Sequence, residues 1–176
     1  VWDLPLEYHN SVWTAQETIR AIDDARAAEQ PFLIWSNFQD PHNPCLVPEP
    51  YASMYDPAAI KQHGYKPGEP DSFQDKPPFY REIIDQPGQY AAKPSDPELR
   101  GAGNVSHLPY DEAGVQQNAA YYYGMVTLMD EQIGRILDHL EATGERDNTL
   151  IVFSSDHGDL LGDHGFWWKS MVAFEE

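Results

Sequence analysis

The residues best suited to chemistry lie near the end of the 176-residue sequence. Between Asp156 and Lys169 the chain carries three aspartates, two histidines and one lysine within 14 residues. Carboxylate oxygens and neutral imidazole nitrogens are common metal ligands, and a bound divalent cation can polarise an anionic substrate oxygen. Gly158, Gly162 and Gly165 permit the sharp turns that would fold this stretch around a site. The composition alone also fits a solvated acidic loop, so both interpretations stay open.

A second candidate is His42, which follows Asp40 and Pro41 in a polar stretch. An imidazole can donate a hydrogen bond or a proton, and the ammonium of Lys169 supplies a compact positive charge. Both groups suit an ester anion whose charge moves to the leaving oxygen during cleavage. Taken alone, a loop histidine is more often structural, and a lysine is more often a surface amine.

Each polar cluster follows a short apolar run. Residues 32–35 precede the stretch with His42, and residues 150–153 run directly into the stretch with Asp156. Runs of this length predict strands that are covered on both faces. Each run is preceded by a predicted helix, and the repeated order of helix, strand and loop predicts an α/β fold with a partly parallel sheet flanked by helices. Because ligands bind beyond the carboxyl ends of parallel strands, both clusters would open on one edge.

The two predicted helices carry different signals. Thr14 and Glu17 have the spacing of a capping box, which predicts a helix from there to about Ala28. The second helix is predicted from near Asn118 to near Gly144, because apolar residues recur at three- and four-residue steps and would form one buried stripe. The stripe consists of Tyr122, Val126, Met129, Ile133, Ile136, Leu137 and Leu140.

Residues 41–117 form a proline-rich segment. Thirteen of the 15 prolines lie between Pro41 and Pro109. Since the segment has no sustained helix or strand period, it is predicted to be a long insertion folded over the surface. Its aromatic residues would pack it down, and they are candidates for lining a substrate pocket. They are Tyr51, Tyr55, Tyr65, Phe73, Phe79, Tyr80 and Tyr90.

Charge and cysteine content narrow the classes of partner. With 29 acidic and 11 basic residues the formal net charge is −18, and long-range repulsion opposes binding to nucleic acid or to anionic membrane surfaces. The same repulsion disfavours a highly sulfated polymer as substrate. No apolar run approaches the roughly 20 residues that span a bilayer. Cys45 is the single cysteine and cannot form an internal disulfide, so the redox compartment stays undetermined. The sequence leaves the localisation and the oligomeric state open.

Three segments together resemble one family, the sulfatases of the alkaline phosphatase superfamily. Residues 148–165, closed by Lys169, look like the family's C-terminal signature. Residues 122–137 are similar to the helix that leads into this signature, and residues 32–44 resemble the family's histidine-containing loop. The resemblance implies an alkaline phosphatase-like fold. Residues 1–176 would be an incomplete catalytic domain, in which residues 118–176 supply a helix, a strand and the signature.

The resemblance also implies a metal site. Asp156 and His157 match the second pair of ligands of a single catalytic metal, where many relatives have Asn in place of the histidine. Carboxylate-rich sites suit hard cations, so the implied metal is Ca²⁺ first, with Mn²⁺ or Zn²⁺ as alternatives because of the imidazole. Asp163 and His164 would orient the loop or hydrogen-bond a ligand.

The implied reaction is hydrolysis of a small-molecule or saccharide sulfate ester. His42 matches a histidine that contacts the sulfate or the leaving oxygen, and Lys169 matches a lysine that binds the sulfate. The family's nucleophile is a formylglycine made from cysteine, or a serine, in a Cys/Ser-x-Pro-x-Arg motif. This chain lacks that motif, and Cys45 has no arginine at the required spacing. The chain is therefore expected to be the later part of a catalytic domain and to be inactive alone.

Three alternatives stay open on the sequence. A phosphonate monoester or phosphate diester hydrolase of the same superfamily has a very similar signature. A non-catalytic relative would keep the fold and bind sulfated ligands without turnover. A self-contained acidic binding domain is disfavoured, because two buried parallel strands need more neighbours than the chain supplies. The histidines that match no motif are His9, His63, His107 and His139.

Overall fold

The computed structural model describes residues 2–42, 44–61, 77–78, 112–162 and 169. Two long helices dominate these residues, α1 at Asn10–Ala27 and α2 at Glu112–Ala142. Short 3-10 helices lie at Leu6–Tyr8, Tyr51–Ser53, Pro57–Ala59 and Arg146–Asn148. The chain divides into two compact units. The first unit comprises residues 1–56 and 120–153, and the second comprises residues 57–119 and 154–176.

Helix α1 begins earlier than the predicted capping box. His9 is its N-terminal cap, and His9 Nδ1 accepts a hydrogen bond from the backbone N–H of Ser11 over 3.4 Å. Thr14 and Glu17 therefore lie inside the helix, where Glu17 pairs with Arg20 on the surface. The capping-box prediction was wrong because an imidazole nitrogen accepts from a free helix amide as the more common hydroxyl does.

The predicted long helix is present as α2, although it starts at Glu112 rather than near Asn118. It ends before Gly144, which has a φ of +76°, a conformation that glycine adopts without strain. The buried face differs from the predicted stripe, because Met125 is fully buried whereas Val126 is 37% exposed.

A close backbone contact accounts for this difference in the buried face. A Cβ at Gly124 would stand 2.3 Å from the carbonyl oxygen of Tyr51. Glycine alone permits such an approach, and it brings residues 47–52 against that side of α2. The apolar period correctly predicted a helix. Near Gly124, however, the contact with residues 47–52 determines which side of that helix is buried.

Two clusters of buried side chains form the core of the first unit. One joins α1, residues 47–52 and α2, and it consists of Val12, Val47, Tyr51, Ala52, Met125 and Leu128. The other joins α1 to the later half of α2, and it consists of Ala15, Ile22, Ile136 and Leu140. Each large aliphatic side chain contributes about 1.5–3 kcal/mol when it is fully buried. Apolar burial therefore holds the two helices together.

Tyr51 connects the first cluster to the polar side of α2. Its ring is buried, and its hydroxyl donates a hydrogen bond to the Glu131 carboxylate. Burial, followed by this hydrogen bond and the adjacent negative charge, raises the pKa of Tyr51 to about 12.

Of the two apolar runs predicted to be strands, residues 32–35 are covered on one side, whereas residues 150–153 are all exposed. Phe32 and Ile34 pack against the second cluster, whereas Leu33 and Trp35 are 93% and 87% exposed. Leu150 is 90% exposed. No two segments of the described residues pair as β-strands. The described residues supply helices for one face of residues 32–35 only, so the sheet with cover on both faces stays a prediction.

The described part of the proline-rich segment contains the 3-10 helices Tyr51–Ser53 and Pro57–Ala59. Tyr55 anchors it as predicted, because its ring packs edge-on against Tyr123 with 5.7 Å between centroids. The Tyr55 hydroxyl is also hydrogen-bonded to Thr127 over 2.7 Å. The predicted aromatic residues outside the described part are Tyr65, Phe73, Phe79, Tyr80 and Tyr90. Within the described part, no helix is long and apolar enough to cross a membrane.

Candidate functional site

His42 lies in a tight turn of the first unit. Its backbone N–H donates to the carbonyl oxygen of Gln39 over 3.0 Å, and the peptide bond between Asp40 and Pro41 is cis. The His42 side chain is exposed, so a substrate can reach the imidazole. Residues 39–46 are called the His42 loop below.

A buried carboxylate lies within the His42 loop. Asp40 is 7% exposed, and the Ser11 hydroxyl donates a hydrogen bond to its Oδ2. His9 Nδ1 lies 3.6 Å from the same oxygen. Ser11 and His9 come from the start of α1, and each is 1% exposed. Because a buried carboxylate is costly unless it is hydrogen-bonded, the Ser11 hydroxyl stabilises Asp40 in this position.

His9 also contacts the other end of the His42 loop. Its Nε2 lies 3.1 Å from the carbonyl oxygen of Leu46. A carbonyl oxygen can only accept, so Nε2 carries the hydrogen and Nδ1 accepts from the Ser11 N–H. Both ring nitrogens of a neutral imidazole are then used. Trp2 packs edge-on against the ring, with 5.0 Å between centroids.

Asp156 and His157 belong to the second unit, in a segment that we call the Asp-His segment, residues 154–161. The His157 N–H donates to Asp156 Oδ1 over 2.9 Å, and the Ser155 hydroxyl donates to the His157 carbonyl over 2.7 Å. His157 Nδ1 lies 2.9 Å from the Gly158 carbonyl oxygen and must donate to it. In a neutral imidazole, Nε2 then holds the lone pair, and it lies 3.6 Å from Asp156 Oδ2.

The other predicted site residues are Lys169, Asp163 and His164. Lys169 is exposed, while Asp163 and His164 lie outside the described residues. Among the described residues, no group of three or more His, Cys, Asp or Glu side chains is arranged to hold a metal ion. Asp156 and His157 are adjacent in sequence, and the structure brings a carboxylate oxygen and an imidazole nitrogen of this pair close to each other.

The sequence analysis missed the roles of His9, Ser11 and Asp40. The available signal was the position of His9 immediately before a helix, where a side chain that accepts a hydrogen bond can act as a cap. No local pattern connects these residues. Asp40 lies 29 residues after Ser11, and Leu46 lies 37 residues after His9.

The sulfatase family model matches residues 5–173. The match covers nearly the whole chain and includes the positions of His42, Asp156, His157 and Lys169. The chain therefore belongs to the sulfatase family, as the three sequence segments predicted.

Individual relatives agree with this family. The arylsulfatase of Clostridium perfringens is 29% identical over 99% of this chain and 31% of its own length. The multifunctional alkaline phosphatase superfamily protein PehA of Trinickia caryophylli is 30% identical over 92% of this chain and 29% of its own length. The chain thus spans about three tenths of the length of these curated relatives.

A solved structure supports the same superfamily fold. The phosphonate monoester hydrolase SpPMH from Silicibacter pomeroyi matches with a TM-score of 0.68 and 30% sequence identity. The match covers 95% of this chain and 31% of that chain. The likeness extends over both units, so the alkaline phosphatase-like fold predicted from the sequence is supported.

Proposed function

We propose that this chain is part of a metal-dependent hydrolase of sulfate esters. The observation that carries the proposal is the sulfatase match over residues 5–173, which includes every residue to which the sequence analysis gave a role in catalysis. The exposed side chains of His42, Asp156 and Lys169 are compatible with residues that meet a substrate or an ion. The substrate would be a small-molecule or saccharide sulfate ester, because the acidic surface repels highly sulfated polymers.

Asp156 and His157 would hold the metal. The hydrogen bond from His157 Nδ1 to a carbonyl oxygen is typical of metal-binding histidines, because it fixes the orientation of the ring, and Nε2 would then be the metal ligand. Asp156 Oδ2 beside that nitrogen completes a donor pair that fits a divalent ion. The metal would polarise a sulfate oxygen when bound. Ca²⁺ is the first choice because carboxylates suit hard cations, and the imidazole makes Mn²⁺ or Zn²⁺ alternatives.

His42 and Lys169 would act on the ester itself. Lys169 would bind the sulfate through its positive charge. His42 would contact the sulfate or donate a hydrogen bond or proton to the leaving oxygen as negative charge develops there. Asp163 and His164 would orient the loop that follows the metal-binding pair. The nucleophile, a formylglycine or a serine, would come from outside residues 1–176.

Residues 32–35 and 150–153 would be strands of the α/β sheet in the complete enzyme. Their alternating or high exposure here fits strands whose second face is covered by other parts of a larger protein. The relatives are long enough to supply such cover, since this chain spans only 29% and 31% of two of them.

The test of the activity uses the complete gene product. The protein is stripped of metal by a chelator and assayed with an aryl sulfate and an aryl phosphonate monoester that share one leaving group. We expect faster hydrolysis of the sulfate ester, lost after chelation and restored by Ca²⁺, Mn²⁺ or Zn²⁺. A folded protein that leaves the sulfate ester intact with all three ions contradicts the proposal.

The Lys169→Ala variant tests the assigned site. Loss of the ammonium should lower kcat/KM for the sulfate ester by about hundredfold or more, since a group that stabilises developing charge is typically worth that much. Lys61→Ala is the matched control, because Lys61 is also an exposed lysine of the second unit and belongs to no motif. Similar losses in the two variants would argue against a specific role for Lys169.

A phosphonate monoester hydrolase is the second candidate. It is favoured by one observation, the likeness to the hydrolase from Silicibacter pomeroyi. The same assay distinguishes the two, because dominant hydrolysis of the phosphonate monoester would identify this alternative. The assigned residues would keep their roles, since both substrates present an anionic centre with a leaving oxygen.

A further inference from the structure

We propose that His9, Ser11 and Asp40 form a positioning unit that sets the orientation of the His42 loop and, through it, the reactive geometry of His42. The inference rests on the proposed role of His42 in catalysis. It adds three residues to which the sequence pattern assigned no role.

The first contact fixes the turn that carries His42. Asp40 lies two positions before His42, inside the turn closed by the hydrogen bond from His42 N–H to the Gln39 carbonyl. The Ser11 hydroxyl donates to the Asp40 carboxylate, and both side chains are buried. Rotating the turn while Asp40 stays buried would deprive this carboxylate of its hydrogen bond, which is energetically costly. The buried hydrogen bond therefore restricts the direction in which the turn points.

The second contact fixes the far end of the loop to the start of α1. His9 Nε2 donates to the Leu46 carbonyl over 3.1 Å, while Ser11 holds Asp40 near the other end. His9 itself has almost no freedom, since it is 1% exposed and packs against Trp2. A short connection whose two ends are held by buried residues of the same helix start samples fewer conformations than a loop held at one end.

Neighbouring contacts extend the same support. Asn10 Nδ2 donates to Gln39 Oε1 over 3.3 Å. Beyond the loop, the Trp2 N–H donates to the Val47 carbonyl over 3.1 Å, and Val47 is fully buried in the first core cluster. Residues 9–11 at the start of α1 thus contact the His42 loop near both ends.

Positioning matters because His42 would act on a leaving oxygen whose place is set by the bound sulfate. Displacement of a reacting group by about 1 Å can lower the rate by about hundredfold. Ser11, His9 and Asp40 would touch neither substrate nor metal, so they are positioning residues that act only through His42.

The test is a double-mutant cycle in the complete gene product, with an aryl sulfate that has a poor leaving group. Ser11→Ala should lower kcat by about tenfold or more and change KM by less than about twofold. In the His42→Ala background, Ser11→Ala should change kcat by less than about twofold, because the group it positions is already absent. Ser53→Ala is the matched control, since it also removes a hydroxyl that donates to a carboxylate, Glu49, at an exposed site.

If Ser11→Ala lowers kcat by the same factor in both backgrounds, the proposal is overturned. The cluster of His9, Ser11 and Asp40 would then only stabilise the fold in general. If Ser11→Ala does not fold, the same cycle is run with Asp40→Asn, which keeps the shape of the side chain and removes its charge. Loss from Asp40→Asn that persists without His42 would overturn the proposal in the same way.

A second readout separates this inference from the proposed function. Cys45 lies within the His42 loop and is partly buried, and its alkylation rate in the folded protein can be followed by peptide mass spectrometry. Ser11→Ala should raise that rate about threefold or more, whereas Ser53→Ala should not. If His42→Ala leaves the activity unchanged while Cys45 reacts faster in Ser11→Ala, the assignment of His42 has failed and the ordering of the loop stands. An unchanged Cys45 rate overturns the inference.

Discussion

The His42 loop and the Asp-His segment are both expected to carry chemistry, yet they are held in different ways. The His42 loop is fixed by contacts with His9 and Ser11, which are distant in sequence and nearly fully buried. In the Asp-His segment, the hydrogen bonds described above join residues one or two positions apart, and the Asp156 side chain is 88% exposed.

We expect the two segments to draw their order from different sources. The protein itself orients the His42 loop, because moving it would disturb buried polar groups. The Asp-His segment has the donor atoms for a cation, and we expect the bound metal to supply much of its rigidity. Metal binding and local ordering are generally coupled in this way.

The largest expected effect is the loss of metal affinity when a proposed ligand in the Asp-His segment is replaced. Asp156→Asn in the complete gene product should lower the affinity for the activating metal by about hundredfold or more, because even indirect partners of metal ligands are worth about 10–100-fold. Calorimetric titration of the metal-free protein measures this. Asp138→Asn, at an exposed position of α2 outside any motif, should bind metal as the unchanged protein does.

Limited proteolysis of the metal-free protein, with and without added metal, compares the order of the two segments directly. Added metal should protect residues 154–161 from limited proteolysis and leave cleavage within the His42 loop unchanged. Equal protection of both segments, or of neither, would contradict the idea that they draw their order from different sources.

The next largest effect concerns the close contact between Gly124 and the backbone of Tyr51, in the segment that follows the His42 loop. Gly124→Ala would bring a methyl group against the Tyr51 carbonyl oxygen, and overpacking of this kind costs about 1–3 kcal/mol of unfolding free energy. Gly134→Ala is the control, because a Cβ there meets nothing within 4 Å. It should stabilise α2 by about 0.5–1 kcal/mol. Urea unfolding of both variants tests this, and a neutral Gly124→Ala would show that the contact relaxes easily.

A matched pair of serine variants compares the two segments directly. Ser11→Ala removes a buried hydrogen bond to a carboxylate and should cost about 1.5–3 kcal/mol. Ser155→Ala removes an exposed hydrogen bond to the His157 carbonyl and should change the unfolding free energy by less than about 0.5 kcal/mol. Similar shifts in the urea midpoint for the two variants would remove the distinction between the segments.

The smallest expected effect appears only at high pH. The pKa of Tyr51 is raised to about 12 in the folded protein, above the value of about 10 for an unfolded tyrosine. Its contribution to stability is therefore complete below pH 10 and is lost as the pH rises through 12. Unfolding midpoints measured between these pH values should fall more steeply for the unchanged protein than for Tyr51→Phe. Parallel curves would contradict the raised pKa.

The parts of this molecule that could be predicted from sequence are those with local signals. Helix α2 follows from its apolar period, whereas the metal-binding roles of Asp156 and His157 stay predictions. In the later half of α2 the predicted stripe is confirmed by the burial of Ile136 and Leu140. Near Gly124 the buried side could not be derived, because the approach of Tyr51 leaves Met125 buried and Val126 exposed. Nor could the cluster around Asp40, whose partners lie 29 residues or more away in sequence.

The segments that cover the predicted strands could not be derived for a related reason. An apolar run such as residues 32–35 indicates that the chain tends to be buried there, but it does not reveal which segment provides the cover. Phe32 and Ile34 find partners in the helices of the first unit, whereas Leu33 and Trp35 do not lie against them. Sequence reasoning inferred burial on both faces from composition alone.

The exposed side chains of Leu33, Trp35 and Leu150 also affect the solubility of these 176 residues. At low ionic strength the net charge of −18 keeps separate molecules apart. In 1 M salt the Debye length is only about 3 Å. The exposed apolar side chains of two molecules can then come into contact. Solubility of the chain should therefore fall as salt is added, so dilute buffer, rather than the high salt often used to suppress association, is the medium in which it stays dispersed.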